Sequence, residues 1–296
     1  MKTKFKIIGI MVIAFITVSC TALKNVAGEK ESADSKKTSS IEGVWKLLYS
    51  NLLDENSPEK LIRYKVIVDG RFFWYQVNEE NENIIPSAGA GGTYILYNQD
   101  NINSPYQEHL EHVFPQMDGF QGREINGSYS ISGNIMKTRG SVAGNETTFE
   151  EVFEKVSVEN KKSDGIQGVW KLLNTDLATV SQHVILYKMI VDDWFICYEV
   201  EEDGTISPTN GTGGTLEMQD SICFETVLHV LPYKEEWQNS QTQYEYKISE
   251  FETGDILRTN NTNNSTGETY TEIFERIVNL NNPHKSIQDF RRNLYS

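Results

Sequence analysis

One hexapeptide occurs twice in this 296-residue chain. Gly-Val-Trp-Lys-Leu-Leu begins at Gly43 and returns unchanged at Gly168. The likeness continues to the end of each half, where residues 149–156 align with residues 270–277. Two diverged copies of one unit therefore make up most of the chain, and they mark the positions that the unit keeps. Two copies are too few for a solenoid, so we predict a tandem pair of domains.

The duplication also sets the domain boundaries. We predict a first domain over residues 41–158 and a second over residues 166–278, each of a size that can hold its own core. A polar linker joins them at residues 159–165, and a polar tail follows at residues 279–296.

Both copies alternate apolar and polar residues with a period of two. Turn dipeptides such as Asp69-Gly70 and Asp203-Gly204 separate the alternating segments. Alternation rich in aromatic and β-branched residues is typical of half-buried strands. The sequence therefore predicts an all-β fold in which each copy is an antiparallel sandwich or an up-and-down barrel. The alternation is clearest at Tyr64, Val66 and Val68, and at their counterparts Tyr187, Met189 and Val191.

A Gly-x-Trp motif opens the first predicted strand of each copy. It resembles the signature of the lipocalins, in which a basic residue of the last strand lies across the Trp. The resemblance implies a barrel whose end is closed by a cation over an indole face, a contact worth roughly 0.5–2 kcal/mol. We therefore predict a structural role for these positions. They are Gly43, Trp45 and Lys155 in the first copy, and Gly168, Trp170 and Arg276 in the second.

The resemblance extends to further motifs in the same order. Residues 71–75 (Arg-Phe-Phe-Trp-Tyr) and 91–94 (Gly-Gly-Thr-Tyr) resemble small lipocalin-like domains of unknown function in Bacteroidota lipoproteins. The second copy keeps Gly-Gly-Thr at residues 213–215 but has Cys197 where the first has Trp74. The resemblance implies two tandem lipocalin-like up-and-down antiparallel β-barrels, each a ligand-binding calyx or an interaction module. It names no substrate.

The N-terminus has the layout of a secretory signal. Three lysines precede an apolar run at residues 7–19, which is too short to span a bilayer comfortably. The small residue before Cys20 resembles a bacterial lipobox, which implies a lipidated cysteine. We predict a signal peptide over residues 1–19, a lipidated Cys20 with a flexible tether over residues 20–40, and anchoring in the outer membrane of a bacterial envelope. The anchored domains would face the periplasm or the cell surface. The alternative is a plain signal peptide with an incidental cysteine.

The formal net charge is −15, which argues against nucleic acid as a partner because such binding depends on basic patches. We predict no cofactor. The first copy groups Glu108, His109, Glu111 and His112, but a strand would divide these between two faces. His109 and Glu111 also have no metal-binding counterparts in the second copy, so we predict no metal site.

A Glu and a His four residues apart recur in both copies, as Glu108 with His112 and as Glu225 with His229. Residues i and i+4 of a regular strand share a face, so each pair is predicted to point the same way. If that face points inward, one ligand could meet both groups. The alternatives are an internally satisfied hydrogen bond, an outward-facing pair, or general-base catalysis.

The candidate ligand-binding residues combine these pairs with nearby aromatic side chains. The Gly-rich stretches at residues 89–93 and 211–215 lack the features of a phosphate loop, and we expect each to be a long loop that enters a strand. The candidates are Glu108, His112, Glu225, His229, Phe73, Trp74, Tyr75 and Tyr198.

These features favour a binding module for a small, partly apolar ligand. The alternative is a structural or protein-interaction module of the cell envelope whose barrels are filled by side chains, with an envelope protein as its partner. An enzyme that uses the Glu–His pair is the third hypothesis. Because the Gly-x-Ser-x-Gly motif is missing, we assign no catalytic residue and predict no enzymatic activity.

Overall fold

The computed structural model describes residues 41–52, 61–97, 104–143, 148–163, 165–177, 184–251, 254–264 and 266–277. The predictions for Cys20, the signal peptide, the tether and the tail lie outside these residues. The described chain is built almost entirely of strands, arranged as two closed antiparallel barrels. The predicted all-β fold class with two tandem up-and-down barrels is confirmed. No helix among the described segments is long and apolar enough to cross a bilayer.

In the first barrel each strand pairs with the next, and β8 returns to pair with β1. A short 3₁₀ helix, Pro115–Phe120, lies between β5 and β6. The strands are β1 (Gly43–Ser50), β2 (Leu61–Val68), β3 (Arg71–Asn78), β4 (Ile84–Leu96), β5 (Ser104–Val113), β6 (Glu124–Ser132), β7 (Ile135–Val142) and β8 (Thr148–Lys155).

The second barrel repeats this topology, and β16 closes it against β9. Its 3₁₀ helix, Pro232–Trp237, takes the same place between β13 and β14. A short 3₁₀ turn, Lys161–Ser163, lies in the linker. The strands are β9 (Gly168–Thr175), β10 (Ile185–Val191), β11 (Trp194–Val200), β12 (Ile206–Gln219), β13 (Ile222–Val230), β14 (Gln241–Phe251), β15 (Gly254–Asn263) and β16 (Thr269–Arg276).

The Gly-x-Trp motif builds one end of each barrel. Trp45 and Trp170 are buried, and each indole N–H donates to the carbonyl oxygen of the residue four positions earlier. Gly43 and Gly168 have φ values of +139° and +141°, a backbone conformation that L side chains rarely adopt. The motif is therefore fixed by backbone geometry and by the burial of one large side chain.

The basic residue beside each Trp takes a different position in the two barrels. The Arg276 guanidinium carbon lies 4.3 Å from the centroid of the Trp170 ring, which is the expected cation–π contact. In the first barrel Lys155 lies opposite Trp45 in the β1–β8 ladder, and its ammonium donates to the carbonyl oxygen of Glu42 at 2.9 Å.

The Gly-rich stretches are interior parts of β4 and β12, so the expectation of long loops is wrong. Gly92 and Gly214 each lie opposite a β-bulge, where a Cβ atom would come within 1.9 Å and 2.0 Å of a backbone carbonyl oxygen. Gly91 and Gly213 face the other barrel, and a Cβ on each would lie 3.3 Å from a tyrosine hydroxyl. Glycine is thus needed for strand pairing and for the approach of the two barrels.

An apolar core lies between the two barrels, in addition to the core inside each one. It is formed by the outer faces of β2, β3 and β4 packed on those of β10, β11 and β12. At its centre the rings of Phe73 and Tyr198 stack with centroids 4.1 Å apart. The two copies therefore pack like the subunits of a dimer.

Polar contacts cross the same boundary in matching pairs. The Lys155 ammonium lies 3.2 Å from a carboxylate oxygen of Asp192, in the β10–β11 turn. Arg276 lies 3.7 Å from a carboxylate oxygen of Asp69, in the equivalent turn of the first barrel. Lys155 and Arg276, the basic residues beside the two Gly-x-Trp motifs, thus also form ion pairs between the barrels.

Candidate functional site

The first barrel contains a cavity of about 160 Å³ that extends from its rim into its interior. Half-buried apolar side chains surround the outer part, among them Met117 and Phe120 of the 3₁₀ helix and Ile125 of β6. Trp74 and two pairs of oppositely charged residues line the inner part. The cavity therefore offers apolar walls and polar groups to one small molecule.

The two ion pairs in this cavity are Lys65 with Glu108 and Arg63 with Glu151. Lys65 and Glu108 are 7% and 4% exposed, so their charges are almost fully removed from bulk water. The Arg63 guanidinium also lies over the Trp74 ring, 4.8 Å from its centroid. Its Nε atom is buried and has no hydrogen-bond partner among the described residues. Arg63 therefore retains one donor that a ligand acceptor could satisfy.

The second barrel has a smaller cavity of about 80 Å³ at the equivalent place. The buried pair recurs there, with the Lys188 ammonium 2.6 Å from a Glu225 carboxylate oxygen. The Tyr244 hydroxyl donates to the same carboxylate at 2.8 Å. Burial lowers the pKa of Lys188, but the acidic groups around it, Glu225 first among them, together hold the pKa above its ordinary value. The Lys188 amine is therefore protonated.

The predicted Glu–His pairs are divided between two faces. Glu108 and Glu225 point into their barrels, as part of the ion pairs. His112 and His229 point outward, towards the other barrel. The same-face prediction is wrong because β5 and β13 each contain a bulge between the Glu and the His, and the extra residue reverses the alternation.

Both histidines lie in the contact between the barrels. The His112 ring lies 5.5 Å from the Tyr187 ring, and the His229 ring lies 4.8 Å from the Tyr64 ring. His229 Nδ1 also forms a 3.0 Å hydrogen bond with the Tyr75 hydroxyl. Burial lowers the pKa of His229 to about 4, so this histidine is neutral at physiological pH.

The predicted aromatic ligand contacts are divided in the same way. Trp74 lines the first cavity. Phe73, Tyr75 and Tyr198 belong to the core between the barrels and face away from both cavities. Successive side chains of a strand point to opposite faces, so Trp74 and its two chain neighbours cannot point into the same cavity. The expectation that Phe73, Trp74 and Tyr75 grip one ligand is therefore corrected.

Glu151 and Glu272 also line the two cavities. Lys65 and Lys188, the partners of the recurrent glutamates, were not predicted from the sequence. A signal for them was present, because a lysine at the same point of an alternating segment recurs in both copies. Arg63 carried no such signal, since its counterpart in the second copy is Leu186.

The 3₁₀ helix beside each cavity is linked to the opposite barrel. Just after the first helix, the Gln121 amide donates to the carbonyl oxygen of Asp203 at 3.1 Å. Just after the second, the Gln238 amide donates to the carbonyl oxygen of Asn81 at 2.7 Å. The rim of each cavity is therefore supported by the β3–β4 or β11–β12 turn of the other barrel.

The two cysteines of the second barrel are free thiols. Burial raises the pKa of Cys197 and of Cys223 to about 12 each, so both thiols are protonated at neutral pH. The Cys223 thiol contacts the Met218 sulfur at 2.8 Å. Among the described residues no group of three or more His, Cys, Asp or Glu side chains has an arrangement suited to a metal ion.

No protein-family model matches the chain, and no curated protein matches it. One solved structure that it resembles is a protein of unknown function from the DUF3598 family, from Nostoc punctiforme. The match covers 80% of this chain and 96% of that one, with 10% sequence identity and a TM-score of 0.21.

Proposed function

We propose that this protein is a lipid-anchored envelope protein whose barrels bind small, partly apolar molecules. The observation that carries the proposal is the cavity of the first barrel, where an apolar rim leads to Arg63, Lys65 and their carboxylate partners. Binding sites for small molecules typically combine apolar walls with a few polar groups that orient the ligand. The membrane anchor is the lipidated Cys20 proposed from the sequence.

The size and chemistry of the first cavity restrict its ligand. A protein cavity of about 150 Å³ holds a molecule the size of benzene, so we propose a ligand of about one ring. The partnerless Nε of Arg63 favours a ligand with an oxygen acceptor. A buried donor without a partner costs about 1–3 kcal/mol, and a ligand oxygen would recover part of that cost.

We do not propose catalysis for either barrel. The buried glutamates Glu108 and Glu225 are held in ion pairs, and the histidines predicted to work with them lie on the opposite faces of β5 and β13. Cys197 and Cys223 are protonated thiols at neutral pH. These groups support binding better than general-base or nucleophilic chemistry.

Ligand-observed NMR with benzyl alcohol and benzamide tests this proposal on the full chain. We expect saturable binding to the wild type and its loss when Ile125→Trp fills the rim of the first cavity. The matched control is Thr242→Trp, the equivalent position of the second barrel, which should leave the first barrel's binding intact. Native mass spectrometry of protein purified from its own envelope would then identify the natural ligand.

The result that would overturn the proposal is unsaturable binding of both probes, together with an envelope-purified protein that carries no small molecule. That outcome would favour the alternative, an interaction module with an envelope protein as its partner. Mass spectrometry of the mature N-terminus tests the anchor separately, because an unmodified Cys20 would contradict it.

A further inference from the structure

The two barrels differ in the group that lies beside their second interior carboxylate. Both keep a buried Lys–Glu pair, and both keep a second carboxylate, Glu151 in the first barrel and Glu272 in the second. In the first barrel Arg63 neutralises that carboxylate. In the second barrel the position of Arg63 is occupied by Leu186, which brings no charge.

Glu272 is left with neutral hydrogen-bond partners. The Asn261 amide donates to its carboxylate at 3.3 Å, and Thr259 donates as well. Burial raises the pKa of Glu272 to about 7; the charge of Lys188 opposes this rise, and that of Glu225 adds to it. The Lys188 ammonium forms its ion pair with Glu225, at 2.6 Å from a carboxylate oxygen. Burial thus favours the neutral form of Glu272, and a cation beside it would favour the ionised form.

The other charged groups near this cavity are Glu199 and Lys234, and among the described residues neither forms an ion pair with Glu272. Burial raises the pKa of Glu199, and the hydrogen bond from Asn210 and the positive charge of Lys234 oppose that rise. The Lys234 ammonium lies 4.9 Å from the centroid of the Trp237 ring, at the 3₁₀ helix. With Lys188 paired to Glu225, Glu272 is the carboxylate of the cavity that forms no ion pair with any of the described residues.

The space that a guanidinium fills in the first barrel is open in the second. Leu186 is shorter than Arg63, and Cys197 replaces the Trp74 ring on which Arg63 stacks. Both residues line the cavity of about 80 Å³. At about 30 Å³ of liquid volume per water molecule, that space holds two or three waters, or a headgroup of a few heavy atoms.

We propose that the second barrel binds a small organic cation of the guanidinium or ammonium type, with the Glu272 carboxylate as its counter-ion. The bound headgroup lies in the second barrel at the position that corresponds to the Arg63 side chain of the first. Hydrogen bonds from Asn261 and Thr259 hold the Glu272 carboxylate towards it. This assignment rests on the proposed binding function and gives its second site a ligand class.

The lining of the second cavity suits such a ligand. Leu177, Trp237 and Phe274 offer apolar contact to a short alkyl chain attached to the headgroup. The titratable groups that surround the site are Lys188 of β10, Cys197 of β11, Glu225 of β13, Tyr270 of β16 and Lys234 of the 3₁₀ helix. Of these, burial holds Cys197 protonated at neutral pH, and burial raises the pKa of Tyr270 above its ordinary value.

Isothermal titration with propylguanidinium and its neutral isostere propylurea tests the assignment on the full chain. At pH 8 we expect propylguanidinium to bind at least tenfold more tightly than propylurea. The preference should weaken as the pH falls from 8 to 5, because protonation of Glu272 removes the counter-ion. Equal affinity for the two probes at pH 8 would overturn the proposal.

Three variants locate the binding. Glu272→Gln should abolish the preference for the cation, and Leu186→Arg should abolish it by supplying a tethered guanidinium as in the first barrel. Arg63→Leu should create a second cation site beside Glu151, doubling the stoichiometry. Because this last variant gains binding, a folding defect cannot imitate the result, and an unchanged stoichiometry would count against the proposal.

The two proposals fail in different ways. If benzyl alcohol binds the first barrel while propylguanidinium shows no preference over propylurea, only the cation assignment is wrong. If none of these probes binds the wild-type protein and the envelope-purified protein carries no small molecule, the binding function itself is wrong. Retained preference for propylguanidinium in the Glu272→Gln variant would place the cation elsewhere and refute the assigned counter-ion.

Discussion

At the scale of single residues, the charges inside the barrels are the informative feature. Lys65, Glu108, Lys188 and Glu225 are all less than a tenth exposed, and they recur at equivalent positions. Removing one member of such a pair strands a buried charge, which typically costs about 3–5 kcal/mol. These residues therefore limit both the stability of the barrels and the ligands that they can hold. Glu272 forms no ion pair with any of the described residues, and its charge changes near neutral pH.

Glu272 should make stability depend on pH. Its pKa is about 7 in the folded protein and 4.5 as the unperturbed reference value. Between these values the unfolded chain releases its proton first, so the free energy of unfolding falls as the pH rises from 4.5 to 7. We expect Glu272→Gln to be on the order of 3 kcal/mol more stable than wild type at pH 8 and equally stable at pH 4.

Urea denaturation at the two pH values measures this difference. The control is Glu275→Gln, whose carboxylate lies at the surface 3.3 Å from the Lys171 ammonium and should matter little at either pH. A Glu272→Gln variant whose stability relative to wild type is the same at pH 4 and pH 8 would contradict the prediction.

At the scale of elements, the β-bulges in β5 and β13 decide which residues meet. Each bulge sends the glutamate inward and the histidine four residues later outward. A glycine on the neighbouring strand accommodates each one, Gly92 on β4 and Gly214 on β12. The Gly-Gly-Thr motif is therefore explained by pairing geometry and by the approach of the barrels, without any ligand.

Gly214→Ala should be strongly destabilising. Its Cβ would lie 2.0 Å from the carbonyl oxygen of Thr226, and backbone cannot move away as a side chain can. We expect a loss of at least about 2–3 kcal/mol in the free energy of unfolding, the upper part of the range for overpacked sites. Gly119→Ala is the control, because its Cβ would meet nothing within 4 Å.

Urea denaturation of both variants measures the two losses side by side. Similar small losses in Gly214→Ala and Gly119→Ala would mean that the bulge is not as tightly held as the structure indicates.

At the scale of the whole molecule, the two barrels form one packed unit. The core between them includes Phe73, Tyr75 and Tyr198, and the ion pairs of Lys155 and Arg276 cross the same boundary. Both cavity rims are also tied across it by glutamine side chains. Stability and cavity shape in one barrel therefore depend on the other.

We expect the wild-type protein to unfold in a single cooperative transition and Tyr198→Ala to separate it into two. Tyr198 is buried and stacks on Phe73 at 4.1 Å, and truncating a buried aromatic residue costs about 3–5 kcal/mol. Differential scanning calorimetry measures the number of transitions. Tyr233→Ala, at a position 71% exposed, is the control. An unaltered single transition in Tyr198→Ala would show that this contact does not couple the barrels.

The sequence by itself determined the duplication and the strands, because an exact repeat is visible in the letters and side-chain alternation acts over a few positions. The alternation left a sandwich or a barrel open, and the barrel was implied by the resemblance to lipocalins. The sequence also identified Trp45 and Trp170 as structural residues. It identified Glu108 and Glu225 as candidate ligand-binding residues, without their lysine partners.

Only the tertiary structure decided whether each side chain points into its barrel or towards the other barrel. One extra residue in β5 and one in β13 reverse the inward and outward alternation of the side chains, and no local sequence pattern predicts these bulges. The packing of one barrel on the other then gave Tyr75, Tyr198 and His229 a role that a single barrel does not have. Residues that are the same in both copies are kept for one of two reasons. Some pack inside a barrel, and others pack between the two barrels. Sequence alone cannot separate them, because both bury side chains from water.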